Sequence, residues 1–453
     1  MILWFVALPL AIALLVMLLH RLSLTVALLS TITFLAMAIR LLTLREVPDI
    51  FVFGRLVTLG HGPRLALALC FGLLALVMAH AYRVPYGGLS YAPTLGAAGL
   101  LAASLLVQNS TLKVMILLMG AILGLILIPT RERRDAILGV RALTLLALSG
   151  VLLLVGTWTM EAYAPEMEET LALQLSMGTM IMGFAMLMGV GPFGLWLTPL
   201  FRRGAYLAGI ILHVVLGGML LFFLGDTLQH EGFAEARQLV HVLLVAGGIA
   251  TCLIGGLGAA VQRSVSGALS YAALADLSMV LVALGLGSQE SVTRGVTHFF
   301  YRAMGITTVA IVAGFLRHHF GGDNHEHLAG IWQRAPLLLV ALTVGGFSLA
   351  GLPPTAGFVT RLSLYQALAA EHAAWIPAIL VSSLGPGWAF GRCVVAALRP
   401  PLVPQGGPAP RYPGLLALPL SLSLLALGIY PQLLTLLPRG WTDLLRAISA
   451  FVL

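Results

Sequence analysis

The stretch from Gly351 to Arg361 reads GLPPTAGFVTR and lies inside apolar sequence of membrane-spanning length. Pro353 and Pro354 cannot stand inside a regular helix, because proline lacks an amide donor and clashes with the preceding turn. The stretch therefore predicts a broken helix. In hydrocarbon, a broken backbone is tolerated only where protein or a hydrated cavity satisfies the freed polar groups. We expect Arg361, just after the break, to lie near the membrane centre and to face protein or water.

The composition is that of a polytopic membrane protein. Of 453 residues, 59% are hydrophobic and 9% are charged, which excludes an ordinary soluble domain. The net charge of +8 comes almost wholly from arginine, since Lys113 is the only lysine. In such a chain a basic excess indicates membrane topology rather than nucleic-acid binding. Cys70, Cys252 and Cys393 are scattered and form neither a disulfide framework nor a metal-ligand set.

The spacing of apolar runs predicts an all-α protein of about fourteen transmembrane helices. A second proline break, at Pro192, lies in the first half of the chain. Paired breaks are typical of inverted repeats with a polar site near the midplane. We predict four regions. They are 1–90, with the first helices and an interfacial segment at 47–64; a first five-helix repeat at 91–224; a second at 239–398; and 399–453, with the last helix and an amphipathic tail from Trp441.

The charged connections predict an orientation, because cytoplasmic loops are richer in arginine and lysine. One set of connections is arginine-rich and contains Arg131, Arg133, Arg134, Arg202, Arg203, Arg263, Arg317, Arg334, Arg399 and Arg411. The opposite set is acidic and contains Glu161, Glu166, Glu168, Glu169, Asp226, Glu231, Glu235, Glu290 and Glu371. Both termini are then expected on the outer side. Four arginines in the second connection count against this orientation, namely Arg40, Arg45, Arg55 and Arg64.

Ionisable residues inside membrane spans are costly and tend to be functional. The set comprises Lys113, His213, Asp276, His298, Arg302, Arg361 and Arg392. His298 and Arg302 are four residues apart and share a helix face. Arginine is effectively never deprotonated in proteins, so the histidines are the expected proton carriers and the arginines can only modulate them.

Each of these residues also has a structural interpretation. The histidines fit equally as hydrogen-bonded core residues. Asp276 needs a cationic partner, and Arg302 and Arg361 are the natural choices, so a purely structural ion pair is the alternative. The alternative for Arg392 is that its apolar stem lies along the span and its guanidinium lies at the membrane interface.

The broken span resembles the Gly-Leu-Pro-Pro-x-x-Gly-Phe break of the antiporter-like membrane subunits. These subunits are shared by respiratory complex I, membrane-bound hydrogenases, Mrp-type antiporters and inorganic-carbon accumulation complexes. Arg361 stands where that family usually has a lysine or another ionisable residue. The resemblance covers roughly residues 53–398. It implies a subunit of a larger complex in the inner cell membrane, surrounded by lipids, beside a peripheral redox arm or a soluble zinc subunit, with no cofactor of its own.

The chain also departs from the family pattern. Leu187 stands where the seventh-span lysine is expected, and Met119 and Gly120 fall where a glutamate is expected. The eleventh span keeps His298, but Ile306 replaces its lysine. A proton-pumping half-channel needs a lysine whose pKa is tuned by a carboxylate, so the resemblance implies a degenerate first half. Lys113 lies near the end of its span and is expected to reach the interface, without compensating for the loss.

A loop after the eleventh span is rich in metal-ligating residue types, with His318, His319, Asp323, His325, Glu326 and His327. The spacing is irregular, so a solvated loop or a partner contact is favoured over a divalent metal site. The chain has no phosphate-cradling glycine loop and no cysteine set for an iron–sulfur cluster. No redox cofactor is expected in it.

Three functional hypotheses follow. The leading one is an antiporter-like subunit of a complex-I-related or group 4 hydrogenase-type complex, taking part in proton or cation translocation or left as a degenerate remnant of it. The second is the ion-coupling membrane subunit of an inorganic-carbon accumulation complex. The third is a scaffold that transports nothing.

Overall fold

The computed structural model describes residues 2–44, 49–52, 54–84, 90–129, 133–163, 171–229, 237–400 and 412–433. Nearly all of these residues are helical, which confirms the predicted all-α polytopic fold. Within the described ranges, nine helical segments have the length and composition to cross a membrane, and five more apolar helices are shorter. The predicted tail from Trp441 lies outside the described residues, as do several charged residues used for the orientation, namely Arg45, Arg131, Glu166, Glu168, Glu169, Glu231, Glu235 and Arg411.

The described residues of the first half of the chain form ten helices. They are α1 (Trp4–Leu18), α2 (Ser23–Thr43), α3 (His61–Ala81), α4 (Tyr91–Leu106), α5 (Ser110–Leu125), α6 (Arg133–Tyr163), α7 (Leu171–Met188), α8 (Thr198–Arg202), α9 (Tyr206–Ile210) and α10 (Gly217–Gln229). A 3₁₀ helix at Gly191–Trp196 follows α7, and a π-helical turn at Ile211–Leu216 joins α9 to α10.

In the second half, the residues that the structure describes form nine helices. They are α11 (Arg237–Ala260), α12 (Val265–Gly285), α13 (Gln289–His319), α14 (His325–Leu328), α15 (Ile331–Arg334), α16 (Pro336–Ala350), α17 (Ala356–His372), α18 (Ile376–Leu398) and α19 (Tyr412–Ile429). A short 3₁₀ helix at Ala373–Trp375 separates α17 from α18.

The expected interfacial segment contains a β-hairpin, with β1 at Ile50–Val52 and β2 at Arg55–Val57. Gly54 turns the chain with a φ of 73°, a left-handed conformation that favours glycine. The Thr58 amide then donates to the Leu106 carbonyl at 3.0 Å, which fastens the hairpin to the end of α4.

The described helices form two compact units. Over the described residues, unit 1 lies within 2–197 and 207–240, and unit 2 lies within 198–206 and 241–433. In unit 2, α12 and α13 are the buried centre, with 94% of the apolar stretch of each enclosed by protein. A helix that is apolar on every face suits such a position. The predicted inverted relation between two five-helix repeats stays a prediction.

Both proline breaks are present. In unit 2, α16 ends at Ala350, and Gly351 takes a left-handed φ of 70° that lets the Leu352 amide bond back to the Phe347 carbonyl at 2.9 Å. The Pro353–Pro354 peptide is cis. In unit 1, Gly189 and Gly191 have positive φ, and Pro192 stands in the first turn of the 3₁₀ helix.

Candidate functional site

The break in unit 2 creates a site for a cation. Because α16 stops at Ala350, the carbonyls of Leu349 and Ala350 have no amide one turn further along to bond with. Arg361, in the second turn of α17, supplies donors instead. Its Nη1 donates to the Ala350 carbonyl at 3.0 Å and its Nη2 to the Leu349 carbonyl at 2.6 Å. Gly351 leaves space for the Arg361 side chain, because a Cβ at this position would stand 2.3 Å from Arg361 Cδ.

Arg361 also pairs with Asp276 of α12. Its Nε and Nη2 donate to Asp276 Oδ1 at 3.2 and 2.5 Å. Asp276 is 1% exposed and Arg361 is 2% exposed, so the ion pair is fully removed from solvent. Of the two partners considered for Asp276, the structure therefore pairs it with Arg361. Arg302 is equally buried on α13, where its Nη2 donates to the Ala273 carbonyl at 3.1 Å.

His298 of α13 links the same carboxylate to a hydroxyl. Its Nε2 lies 3.0 Å from Asp276 Oδ1 and its Nδ1 lies 2.7 Å from Thr360 Oγ1. Thr360 Oγ1 is in turn 3.4 Å from the Gly357 carbonyl. These contacts form a continuous chain from Asp276 through His298 and Thr360 to the break, which we call the Asp–His–Thr chain.

The Asp–His–Thr chain accommodates both protonation states of His298. In the neutral form, Nε2–H donates to Asp276 and Nδ1 accepts from the Thr360 hydroxyl. In the charged form, both ring nitrogens donate, and the Thr360 hydroxyl turns to donate to the Gly357 carbonyl. Neither state leaves a ring nitrogen unsatisfied, so a proton can be added or removed at His298 without breaking the chain.

Unit 1 contains a second buried charge pair. Lys113, in the first turn of α5, forms an ion pair with Asp226 of α10, and its Nζ also lies 5.3 Å from the centre of the Phe223 ring. The Lys113 side chain is 3% exposed and that of Asp226 is 27% exposed. The expectation that Lys113 reaches the membrane interface stays a prediction. Within the protein, the ammonium is buried against a carboxylate 113 residues later in the chain.

His213 lies elsewhere in unit 1, buried in the π-helical turn 211–216. π-Helical turns inside α-helices are rare and frequent at functional sites. The thirteen residues from His213 to Asp226 correspond to about 20 Å along a helix axis. His213 and the Lys113–Asp226 pair thus stand at different depths of the same unit.

The two breaks are satisfied by different chemistry. In unit 1 the freed carbonyl of Met186 accepts from the Trp196 indole at 3.1 Å, and Leu187 is buried. A neutral indole therefore occupies the role that the Arg361 guanidinium has in unit 2. The use of a neutral donor at the unit 1 break agrees with Leu187, which stands where the family pattern has a lysine.

Arg392 of α18 does not join the Asp–His–Thr chain. Its Nη2 donates to the carbonyls of Ala260 and Gln262 at 2.5 and 2.7 Å, which satisfies the carboxyl end of α11. Its guanidinium also lies 5.6 Å from the Trp388 ring. Of the seven candidate residues, the structure joins Asp276, His298 and Arg361 directly, with Arg302 on the neighbouring turn of α13.

The histidine-rich loop is partly built into the fold. Asp323 is 2% exposed, and its carboxylate accepts from the Ser266 amide at 2.7 Å, from the Ser266 hydroxyl and from Arg317 Nε at 3.1 Å. The expectation of a solvated loop is wrong for Asp323, because the amino-terminal end of α12 binds its carboxylate. Over the described ranges, no group of three or more His, Cys, Asp or Glu side chains is arranged to hold a metal ion.

Sequence reasoning missed three residues. Thr360 lies in the opening stretch and adjoins Arg361, but a threonine in a helix usually bonds its own backbone. Asp226 enters the sequence analysis only as a charge in a connection, and Asp323 only as one of the metal-ligating residue types of its loop, without the helix end that binds it. For Asp226 a signal existed, since a chain with one intramembrane lysine needs a counter-charge.

The chain is similar in sequence to known membrane proteins. A sequence profile of the family described as NADH:quinone oxidoreductase/Mrp antiporter, TM, matches residues 135–385, just over half of the chain. A relative from Ectopseudomonas mendocina, NADH-quinone oxidoreductase subunit N, is 27% identical over 405 residues, which cover 82% of this chain and 81% of the relative. Several other proteins of that name align over less than half of their own length.

Solved structures share the fold. A chain of respiratory complex I from Thermus thermophilus with bound NADH superposes with a TM-score of 0.79, at 19% identity and over 100% of both chains. A chain of the membrane-bound sulfane sulfur reductase, an archaeal respiratory membrane complex, gives a TM-score of 0.80 at 19% identity, over 99% of this chain and 97% of its own.

Proposed function

The chain belongs to the NADH:quinone oxidoreductase/Mrp antiporter transmembrane family, and from this membership we propose that it is an antiporter-like membrane subunit of a redox-driven respiratory complex. In that role it contributes to proton or cation translocation, while other subunits carry out the redox chemistry and hold the cofactors. The relative named NADH-quinone oxidoreductase subunit N and the fold shared with respiratory complexes support this proposal.

The observation that carries the proposal is the Asp–His–Thr chain at the helix break. A titratable imidazole with no exposed surface is held between a carboxylate and a hydroxyl, beside the fixed charge of Arg361. An imidazole passes a proton through its two nitrogens, whereas a guanidinium stays charged. His298 is therefore the proposed proton carrier of unit 2, and Arg361 and Arg302 set the potential around it.

Unit 1 has two titratable elements that serve the same proposal. The Lys113–Asp226 pair combines a buried ammonium with a carboxylate that is partly exposed, a lysine–carboxylate combination at other positions than those where the family pattern has one. His213 supplies an imidazole at another depth. We infer that unit 1 retains acid–base groups despite its missing seventh-span lysine and fifth-span glutamate.

We further propose that the chain lies in the inner cell membrane with its arginine-rich connections on the cytoplasmic side and both termini outside. Gln289 and Gln333 are exposed and lie on opposite sides in this orientation. Cys70, Cys252 and Cys393 are buried. A membrane-impermeant maleimide should therefore label Gln289→Cys in intact cells and Gln333→Cys only after permeabilisation; the reverse pattern would overturn the orientation.

The test of function measures proton movement in membrane vesicles that contain the assembled complex, driven by its own redox reaction. We expect His298→Ala to lower the proton movement per electron at least about tenfold, since loss of an acid–base group costs roughly 10²–10⁴ in rate where proton transfer limits. His372→Ala is the control, because His372 lies exposed at the end of α17.

Two outcomes would redirect the proposal. Unchanged proton movement in a His213→Ala, His298→Ala double variant would establish a scaffold. Mass spectrometry of the gently purified assembly identifies the partners: iron–sulfur subunits are expected, whereas a soluble zinc subunit alone would replace the respiratory role with inorganic-carbon uptake.

A further inference from the structure

Unit 2 has a cleft beside the carboxyl end of α18 that the proposed function does not use. Trp388, Arg392, Val395 and Arg399 of α18 line it on one side, and His325 of α14 lines it on the other. Its volume is about 430 Å³. We call it the α18 cleft. The Gly330 amide donates to the Arg399 carbonyl at 2.8 Å, so the cleft lies at the arginine-rich end of the helix.

Positive charge gathers at the α18 cleft without a counter-charge. Arg392 and Arg399 line it, and Arg263 is close enough to act on His325 as well. Among the described residues, no carboxylate lines the cleft, and no ion pair involves any of these three arginines. Arg392 instead donates to the neutral carbonyls of α11. An anion placed in the cleft would therefore meet uncompensated positive charge.

Two buried donor positions are left for such an anion. His325 Nε2 and Arg392 Nε are both shielded from solvent and have no hydrogen-bond partner among the described residues. Leaving a buried donor unsatisfied is costly. Burial, followed by the charges of Arg392, Arg263 and Arg399, lowers the pKa of His325, which agrees with an electropositive cleft.

The other side of the α18 cleft is apolar. Trp388 is 62% exposed and Val395 is 53% exposed, and both lie in the wall of the cleft. The same helix face continues with Leu384 and Leu398, 66% and 53% exposed, at helical spacings that place all four side chains on one stripe. The cleft thus joins a cationic end to an outward-facing apolar stripe.

We propose that the α18 cleft binds an anionic phospholipid, with the headgroup phosphate at Arg399, Arg392 and His325 and an acyl chain along the stripe through Trp388 and Leu384. Basic pockets between membrane helices at the cytoplasmic side are suited to anionic headgroups. The apolar stripe favours a lipid over a free phosphate ion, because a phosphate ion has no acyl chain to contact the stripe. The site is separate from the Asp–His–Thr chain and does not depend on the transport function.

The test counts lipid in the intact assembly. Wild-type and Arg399→Gln complexes are extracted in mild detergent, washed free of loosely held lipid, and analysed by mass spectrometry for phosphatidylglycerol and phosphatidylcholine per chain. The Arg399 side chain is exposed, and its backbone bond to Gly330 does not depend on it, so the variant should fold. We expect Arg399→Gln to retain about one phosphatidylglycerol fewer per chain, with no change in phosphatidylcholine.

Three comparisons make the result decisive. Arg133→Gln removes the same charge from an exposed arginine at the start of α6 and should leave the lipid count unchanged. His325→Gln, which keeps a donor but not a ring, should weaken retention less than Arg399→Gln. An unchanged phosphatidylglycerol count in Arg399→Gln would overturn the proposal, as would full displacement of the lipid by millimolar inorganic phosphate.

Discussion

The Asp276–Arg361 ion pair makes a sharp energetic prediction. Asp276→Asn keeps the size of the side chain and an oxygen that can still accept from His298 and Arg361. It removes the negative charge, however, and leaves Arg361, 2% exposed, with no carboxylate on it. The variant therefore isolates the effect of the charge from that of packing.

The expected magnitude follows from burial. Removing one partner of a buried ion pair costs about 3–5 kcal/mol, so Asp276→Asn should lower the free energy of unfolding by that amount. Arg361→Met should cost at least as much. It leaves Asp276 without its guanidinium, and it leaves the Leu349 and Ala350 carbonyls without donors, at about 1–3 kcal/mol for each unsatisfied group.

The double variant decides whether the charges interact. With both charges gone, no isolated ion remains, so the loss in Asp276→Asn, Arg361→Met should be smaller than the sum of the single losses by about 0.5–3 kcal/mol. The assay is reversible unfolding of the full chain in mixed micelles of mild detergent and dodecyl sulfate. Glu290→Gln is the matched control, since the Glu290 side chain is 74% exposed and its partner Arg294 is 31% exposed, so neither charge is left buried and the variant should lose less stability.

Additivity would refute the reasoning. If the loss in the double variant equals the sum of the two single losses to within about 0.5 kcal/mol, Asp276 and Arg361 stabilise the fold through separate contacts. Their ion pair then contributes no interaction energy. Equal losses in Asp276→Asn and Glu290→Gln would likewise show that burial does not set the cost.

Three further predictions follow. Gly351→Ala should lower stability by more than the about 1–3 kcal/mol of backbone strain alone, because a Cβ there would meet Arg361; thermal unfolding in detergent measures it. Lys113→Met and Lys113→Arg should lower proton movement equally in the vesicle assay if the Lys113 ammonium exchanges its proton, since arginine keeps its charge. The folded-state pKa of His325 is lowered by burial and by the charges of Arg392, Arg263 and Arg399. As the pH falls below the unfolded value of about 6.5, the unfolded loop takes up the proton first and the folded loop loses stability. The protection factors of the amides around α14, which are corrected for the slower intrinsic exchange at lower pH, should therefore fall from about pH 7.5 to about pH 5.5.

Each of these has its own check. Gly321→Ala has a similar positive φ with open space around the Cβ, so it should show the backbone strain without the side-chain clash; equal losses at both glycines would contradict the crowding at Arg361. Full activity of Lys113→Arg would make Lys113 a structural counter-charge only. An unchanged pH response in His325→Gln would show that another group titrates.

Much of the site was present in the sequence as separate pieces. The broken helix, Arg361 after it, and the buried positions of Asp276, His298 and Arg302 all follow from local patterns, because proline chemistry and apolar runs act over a few neighbouring residues. The pattern also fixed the all-α membrane fold. It gave no means to choose between Arg302 and Arg361 as the partner of Asp276.

The tertiary structure decided which charges meet. Asp276 and Arg361 are 85 residues apart, and Lys113 and Asp226 are 113 residues apart, so no local pattern indicates either pair. A buried charge must find its counter-charge on whichever helix packs beside it. The sequence by itself therefore determined that this protein spans a membrane and where its helices break, while only the packing of the helices determined that Thr360 completes a hydrogen-bonded chain through His298 and that Lys113 stays inside the protein.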